Sequence, residues 1–198
     1  MPERDLPPID LEGGFSLDPL LRKYGRRRAR MEPMYAEMLL AAKALVRPVS
    51  LQRSFPAGDL PELSDPMRFA HRIVLGLCSL GGQLERRVSD MFPDEPARAV
   101  ILDEIGNAWV AGLARRLHRQ IRSTAAAEGL RAGPGYRPGI GQWPVELQPR
   151  IFHLLEADRY GLHLTGGLMM EPRKSVSMII PVGRSLGRTG YAPAAPDQ

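Results

Sequence analysis

The sequence predicts an α+β fold in a single domain, on three observations. Short strand-like runs stand at residues 49–55, 72–80 and 175–180. They are joined irregularly by helices and long loops, not by the regular strand-helix alternation of a wound α/β sheet. The chain has 198 residues and is 43% hydrophobic, enough to bury one substantial core. Both ends are rich in Pro, Gly and charge without a period, so the expected organisation is a loose basic lead-in at 1–30, the domain at 31–183 and a flexible tail at 184–198.

Taken in order, Pro33 suits the first turn of a helix, and Tyr35, Met38, Leu39, Ala42 and Leu45 then share one face until Pro48 ends it. Val49 to Phe55 alternates with a period of two, the pattern of a strand with one buried face. Arg72 to Leu80 (RIVLGLCSL) is continuously apolar and reads as a central strand. A helix carrying Leu84, Val88, Met91 and Phe92 follows it, and Pro93 and Pro96 break the chain. The longest periodic stretch has Ile101, Ile105, Ala108, Trp109, Gly112, Leu113, Leu117 and Ile121 on one stripe. Its small residues Gly106, Ala108, Ala111 and Gly112 predict close approach to another backbone, as in a helix lying flat on a sheet. A helix over Val145 to Ala157 and a last strand, Ser175 to Ile180, ending at Pro181, complete the set.

Charge and motif content narrow the function classes. The balance of 27 basic to 22 acidic residues gives a net charge of +5 and a pI near 9.8, a mild excess on a mixed surface. The one dense basic run, Arg22 to Arg30, has almost no interleaved aromatics, so a solvated lead-in to a helix outweighs a nucleic-acid contact, with an acidic protein partner still open. No run approaches the roughly 18 uncharged apolar residues of a membrane span, and the N-terminus lacks the order of a secretory signal, so the expected location is the cytoplasm. Cys78 is the only cysteine, and His71, His118, His153 and His163 lack ligand spacing, so no metal site is expected. There is no Walker loop, no G-x-S-x-G and no G-x-G-x-x-G at a strand-to-helix turn. With no catalytic constellation, a binding or positioning module is favoured over a self-contained enzyme.

The stretch that remains is RAGPGYRPGIGQWP at 131–144, with four glycines and three prolines. Gly133 and Gly135 would let backbone groups touch a ligand, Pro134 stiffens the turn, Tyr136 offers a flat face with a hydroxyl, and Arg131 is a planar fork suited to a carboxylate. The alternative is a plain Gly/Pro connector with a buried tyrosine.

These residues carry a resemblance. Arg131-Ala132-Gly133-Pro134-Gly135-Tyr136, the helix start Trp143-Pro144-Val145, Leu164-Thr165 and Pro172-Arg173-Lys174-Ser175-Val176-Ser177, in this order, resemble the activation (reactivation) domain of cobalamin-dependent methionine synthase, especially its short stand-alone relatives. The similarity spans about residues 33 to 183. It implies a twisted antiparallel sheet packed against helices, with S-adenosylmethionine as ligand and cobalamin held by a corrinoid-binding methyltransferase partner. A flavodoxin- or ferredoxin-type reductant would supply the electron, and S-adenosylmethionine would then trap cob(I)alamin as methylcobalamin. Carried over residue by residue, the ligand contacts would be Arg131, Gly133, Pro134, Gly135, Tyr136, Glu128 and Lys174. The sequence departs from the family at Ala111, where the longer members carry a ligand-contacting glutamate, and at Arg137-Pro138-Gly139-Ile140, which looks inserted. It also lacks the Asp-x-His-x-x-Gly motif for ligating cobalt, so cobalamin enters only through a partner.

Overall fold

The computed structural model describes residues 16–64, 67 and 70–184. The chain opens with α1 (Asp18–Leu21) and a 3-10 segment (Arg22–Arg27), followed by α2 (Arg28–Leu45). Strand β1 (Val49–Pro56) comes next, then α3 (Pro61–Ser64), β2 (Arg72–Ser79), α4 (Gln83–Met91) and α5 (Pro96–Ala127). After β3 (Arg131–Ala132) come α6 (Gln148–Leu154), the hairpin strands β4 (His163–Leu164) and β5 (Met170–Glu171), and β6 (Ser175–Gly183). The main sheet has the order β1-β2-β6-β3 and every pairing in it is antiparallel. The α+β expectation holds.

Why β2 is an unbroken apolar run is plain from the layers. Its side chains alternate between two cores: Val74 and Cys78 face α2, α4 and α5, while Ile73, Leu75 and Leu77 face Trp143, Ile151, Phe152 and Leu155. A strand covered on both faces has no polar face to show. β6 is built the same way, with Met178, Ile180 and Val182 on the helix side. Strand β1 lies at the edge and is only partly covered, which accounts for its period of two.

The helix α5, roughly 48 Å long from its residue count, crosses the sheet. The close approach expected of it depends on a glycine of the strand: a Cβ on Gly76 would stand 2.9 Å from Leu117 Cδ2. Gly106 makes room for α4 and β6, since its Cβ would meet Leu84 Cδ2 at 2.9 Å and Lys174 Cε at 3.3 Å. Gly112, with only the tip of Arg115 within reach at 3.8 Å, is not explained by packing.

Two boundaries differ from expectation. Residues 18–30, expected to be loose, form helical turns with a kink at Gly25 (φ +49°), because Leu21 is buried in the main core and Tyr24 packs edge-on to Tyr35 at 5.9 Å. Arg28 pairs with Asp18, and Lys23 with Glu104, fastening the segment further. Helix α2 therefore starts at Arg28 and contains Pro33, which suited a first turn. At the other end, Pro181 lies inside β6, opposite Ile73. Its missing N–H falls on the β3 side, where the short partner strand ends, so the pairing with β2 continues. The tail at 185–198 and residues 1–15 of the lead-in lie outside the described residues.

Candidate functional site

The turn begins where α5 stops. Gly129 has a left-handed φ of +70°, Leu130 N–H donates to Ala125 C=O at 2.8 Å and Gly129 N–H to Ala126 C=O at 3.0 Å, the paired bonds of a glycine-terminated helix. Leu130 packs into the core and aims the chain along β6 as β3. Arg131, opposite Gly183, is exposed, and its guanidinium has no hydrogen-bond or ionic partner among the described residues.

The glycines that follow are accounted for by β6. A Cβ on Gly133 would stand 2.8 Å from Pro181 Cγ, and one on Gly135 3.3 Å from Met178 Sδ. Gly133 N–H donates to Pro181 C=O at 2.8 Å. Pro181 cannot donate in return, and His118 Nε2 takes that place, donating to Gly133 C=O at 2.8 Å. Both backbone groups of Gly133 are thus engaged within the fold. The Pro134 carbonyl and the Gly135 N–H have no such partner among the described residues.

Tyr136 exchanges two backbone hydrogen bonds with Ile179, at 2.9 and 2.8 Å, and its ring stacks on Trp143 with centroids 4.8 Å apart and planes 28° from parallel. The loop between the two rings includes the residues that looked inserted: Gly139 and, just after them, Gly141 adopt φ of +82° and +63°, and Gly139 N–H donates to Trp143 C=O at 2.7 Å. The loop so formed brings Trp143 back over Tyr136. Trp143 is buried, and its indole N–H has no hydrogen-bond partner among the described residues.

The remaining expected contacts lie elsewhere. Glu128, at the end of α5, is ion-paired to Arg72 at 2.5 Å. Lys174 precedes β6 at the end opposite Arg131, nine residues before Gly183, or roughly 30 Å away along the strand. It is buried, donates to Asn107 Oδ1 at 2.6 Å and pairs with Asp103 at 2.5 Å. The serines of Ser175-Val176-Ser177 face inward: Ser175 donates to the Pro172 carbonyl at 2.6 Å and shares a hydrogen bond with Ser79, and Ser177 donates to buried Gln148 at 3.0 Å. Ala111, on α5, is half-buried and brings no carboxylate.

The other titratable groups are structural in their surroundings. Burial pushes the Cys78 thiol up to about 11, opposed by Ser50, 3.7 Å away. Burial also holds Tyr35 protonated well above the usual phenol range, assisted by its donation to Glu104. Among the described residues no group of three or more His, Cys, Asp or Glu could hold a metal ion, and no helix is long and apolar enough to cross a membrane. Arg72 was not singled out by the sequence, where it is merely the first residue of an apolar run.

No protein-family model and no curated protein matches this sequence significantly. A search of solved structures finds the fold in a crystal structure of the MetH reactivation domain bound to AdoHcy, with a TM-score of 0.63 and 14% sequence identity over 86% of this chain and 71% of that one. The chain therefore has a reactivation-domain-like fold.

Proposed function

We propose that this chain is a S-adenosylmethionine-binding module that supports reductive methylation of cobalamin on a separate corrinoid methyltransferase, such as a split methionine synthase. One observation carries the proposal: on a fold shared with a MetH reactivation domain bound to AdoHcy, the Arg131–Tyr136 turn keeps an unengaged guanidinium on the same strand segment as a stacked aromatic pair.

The ligand's groups find partners at this turn. Arg131 fits the carboxylate in a bidentate pair. The Pro134 carbonyl and the Gly135 N–H are the backbone groups left to meet it, in preference to those of Gly133. The Tyr136–Trp143 stack offers the ligand an aromatic surface and a hydroxyl. Lys174 is outside this set, because its charge is answered by Asp103 and Asn107. When bound, S-adenosylmethionine would supply an activated methyl group; the chain's part is to hold and orient it toward cobalamin on the partner, with a flavodoxin- or ferredoxin-type protein as electron donor, in the cytoplasm.

Calorimetry with S-adenosylmethionine tests this. The expected result is binding that weakens at least about tenfold in Arg131→Ala, the scale of one charge-assisted hydrogen-bond pair. No heat at millimolar ligand overturns it.

A second reading, a docking or assembly factor for a corrinoid protein without ligand binding, is favoured by one observation. A carboxylate that would meet the ligand's ammonium and sulfonium is missing at Ala111, and Glu128 is paired with Arg72 and not with Arg131. It predicts a complex with a cobalamin protein that survives Arg131→Ala and needs no S-adenosylmethionine.

A further inference from the structure

The face of β1 turned toward the helices carries Ser50, Gln52 and Ser54, whereas β2 and β6 present Val74, Cys78, Met178 and Ile180 on that side. Helix α5 lies over β2 and β6, and its last turns leave the edge strand uncovered. A cleft of about 240 Å³ results, with Gln52 and Ser54 on one wall, Thr124 and Glu128 on the other, and Arg72 between them. Val74 and Ile121 add an apolar part.

The electrostatics of this cleft are specific. Arg72 Nη1 meets Glu128, so the two charges cancel, and Arg53, which also lines the cleft, has its guanidinium beside α6, where it donates to the Leu154 carbonyl and lies 4.0 Å from Glu156. The Arg72 Nε is buried without a hydrogen-bond partner among the described residues, which leaves the Nε–Nη2 edge of the fork unpaired there. The side chains of Gln52, Ser54 and Thr124 likewise have no protein partner among the described residues. With the Arg72–Glu128 pair neutral as a unit and one cationic edge unpaired, the cleft disfavours a phosphate or other net anion and suits a zwitterion. The volume lies below the roughly 300–1,000 Å³ of sites for drug-sized ligands, so the occupant is small.

We propose that this cleft binds a free aliphatic α-amino acid, its carboxylate on the Nε–Nη2 edge of Arg72, its ammonium on Glu128 and its side chain over Val74 and Ile121. The unsatisfied donor then gains an acceptor where water competes weakly. The site is separate from the Arg131 turn and does not depend on the proposed use of S-adenosylmethionine.

Calorimetric or NMR titration of the full chain with L-norleucine tests it, with hexanoate and pentylamine as the two halves of the head group. L-Norleucine is expected to bind with a Kd on the order of 1 mM. Each half should bind about tenfold more weakly or not at all, as should L-norleucine to Arg72→Met or Glu128→Gln. Thr124→Phe, at an exposed helical position, fills the cleft and should abolish binding while leaving the melting temperature near that of the parent. No binding of L-norleucine at millimolar concentration, equal binding of hexanoate, or full binding to Thr124→Phe would each overturn the proposal. The same amino-acid group also forms one end of S-adenosylhomocysteine, and Arg131→Ala separates the two sources. Unchanged L-norleucine binding in that variant supports a free amino acid. One-for-one displacement by S-adenosylhomocysteine, with both ligands weakened in Arg131→Ala, overturns it by making the cleft part of the turn's site. If S-adenosylmethionine fails to bind at all while L-norleucine binds, only the reading of the turn is lost.

Discussion

The two ends of β6 each carry a cation from the segments that resemble the activation domain, and they are in opposite situations. Lys174, at the start, is buried and answered by Asp103 and Asn107, beside the hydrogen-bonded Ser79–Ser175 pair. Arg131, alongside the far end, is exposed and unanswered, next to glycines pressed against the strand and an aromatic stack. Burial with full pairing holds a fold together, while a donor left open on a rigid frame is available to a ligand. The same residue chemistry is thus used within the fold at one end of the strand and left open at the other.

Substitutions can break this contrast, and the largest effect should come from the frame of the open end. Trp143→Ala removes a buried ring and the face on which Tyr136 stacks, and should cost about 3–5 kcal/mol in denaturant unfolding. Gly133→Ala places a Cβ against the Pro181 ring, which cannot swing aside, and should cost about 1–3 kcal/mol. At the closed end, Lys174→Met leaves Asp103 without its cation. That carboxylate is 39% exposed, so the cost is reduced by solvent to about 1–2 kcal/mol, and S-adenosylmethionine binding should be unchanged in calorimetry. Arg131→Ala should reverse this pattern, changing stability by less than about 0.5 kcal/mol while weakening the ligand.

The smallest effect is a pH dependence near the closed end. Cys78 pairs across the sheet with Val176, two residues from Lys174, and stays protonated in the folded state up to about 11. A folded pKa raised above the unfolded one means that unfolding releases the proton. Stability from this group is therefore complete below the unfolded value near 9.0 and declines as pH rises toward about 11. Melting temperatures across that range should fall in the parent and fall less in Cys78→Ala. The thiol should also resist alkylation at neutral pH until the protein unfolds.

Much of the fold was legible because its signals are local. The apolar run at 72–80, the period of two at 49–55 and the long stripe on α5 each follow from which faces must be buried. The stretch at 131–144 was legible as a stiff glycine- and proline-rich break that carries Arg131 and Tyr136. Other features were not. Leu21 and Tyr24 order a lead-in whose composition reads as loose, since a single buried leucine and a ring contact made across the chain leave no local period. Pro181 reads as a strand end, yet it continues β6 because the partner beside it is only two residues long. Arg72, Gln52 and Thr124 gave no signal, since they meet only where α5 crosses the sheet edge.

The sequence by itself determined the type and order of the longer elements, the single cysteine's burial among apolar neighbours and the stiff glycine-rich turn. These depend on periodicity and backbone preference, which act within a few residues. Tertiary structure alone decided which glycines admit a neighbour, which of two cations is answered, and that Glu128 is held by Arg72. Each of those depends on groups distant in sequence arriving within a few ångströms, and no local preference encodes such a distance.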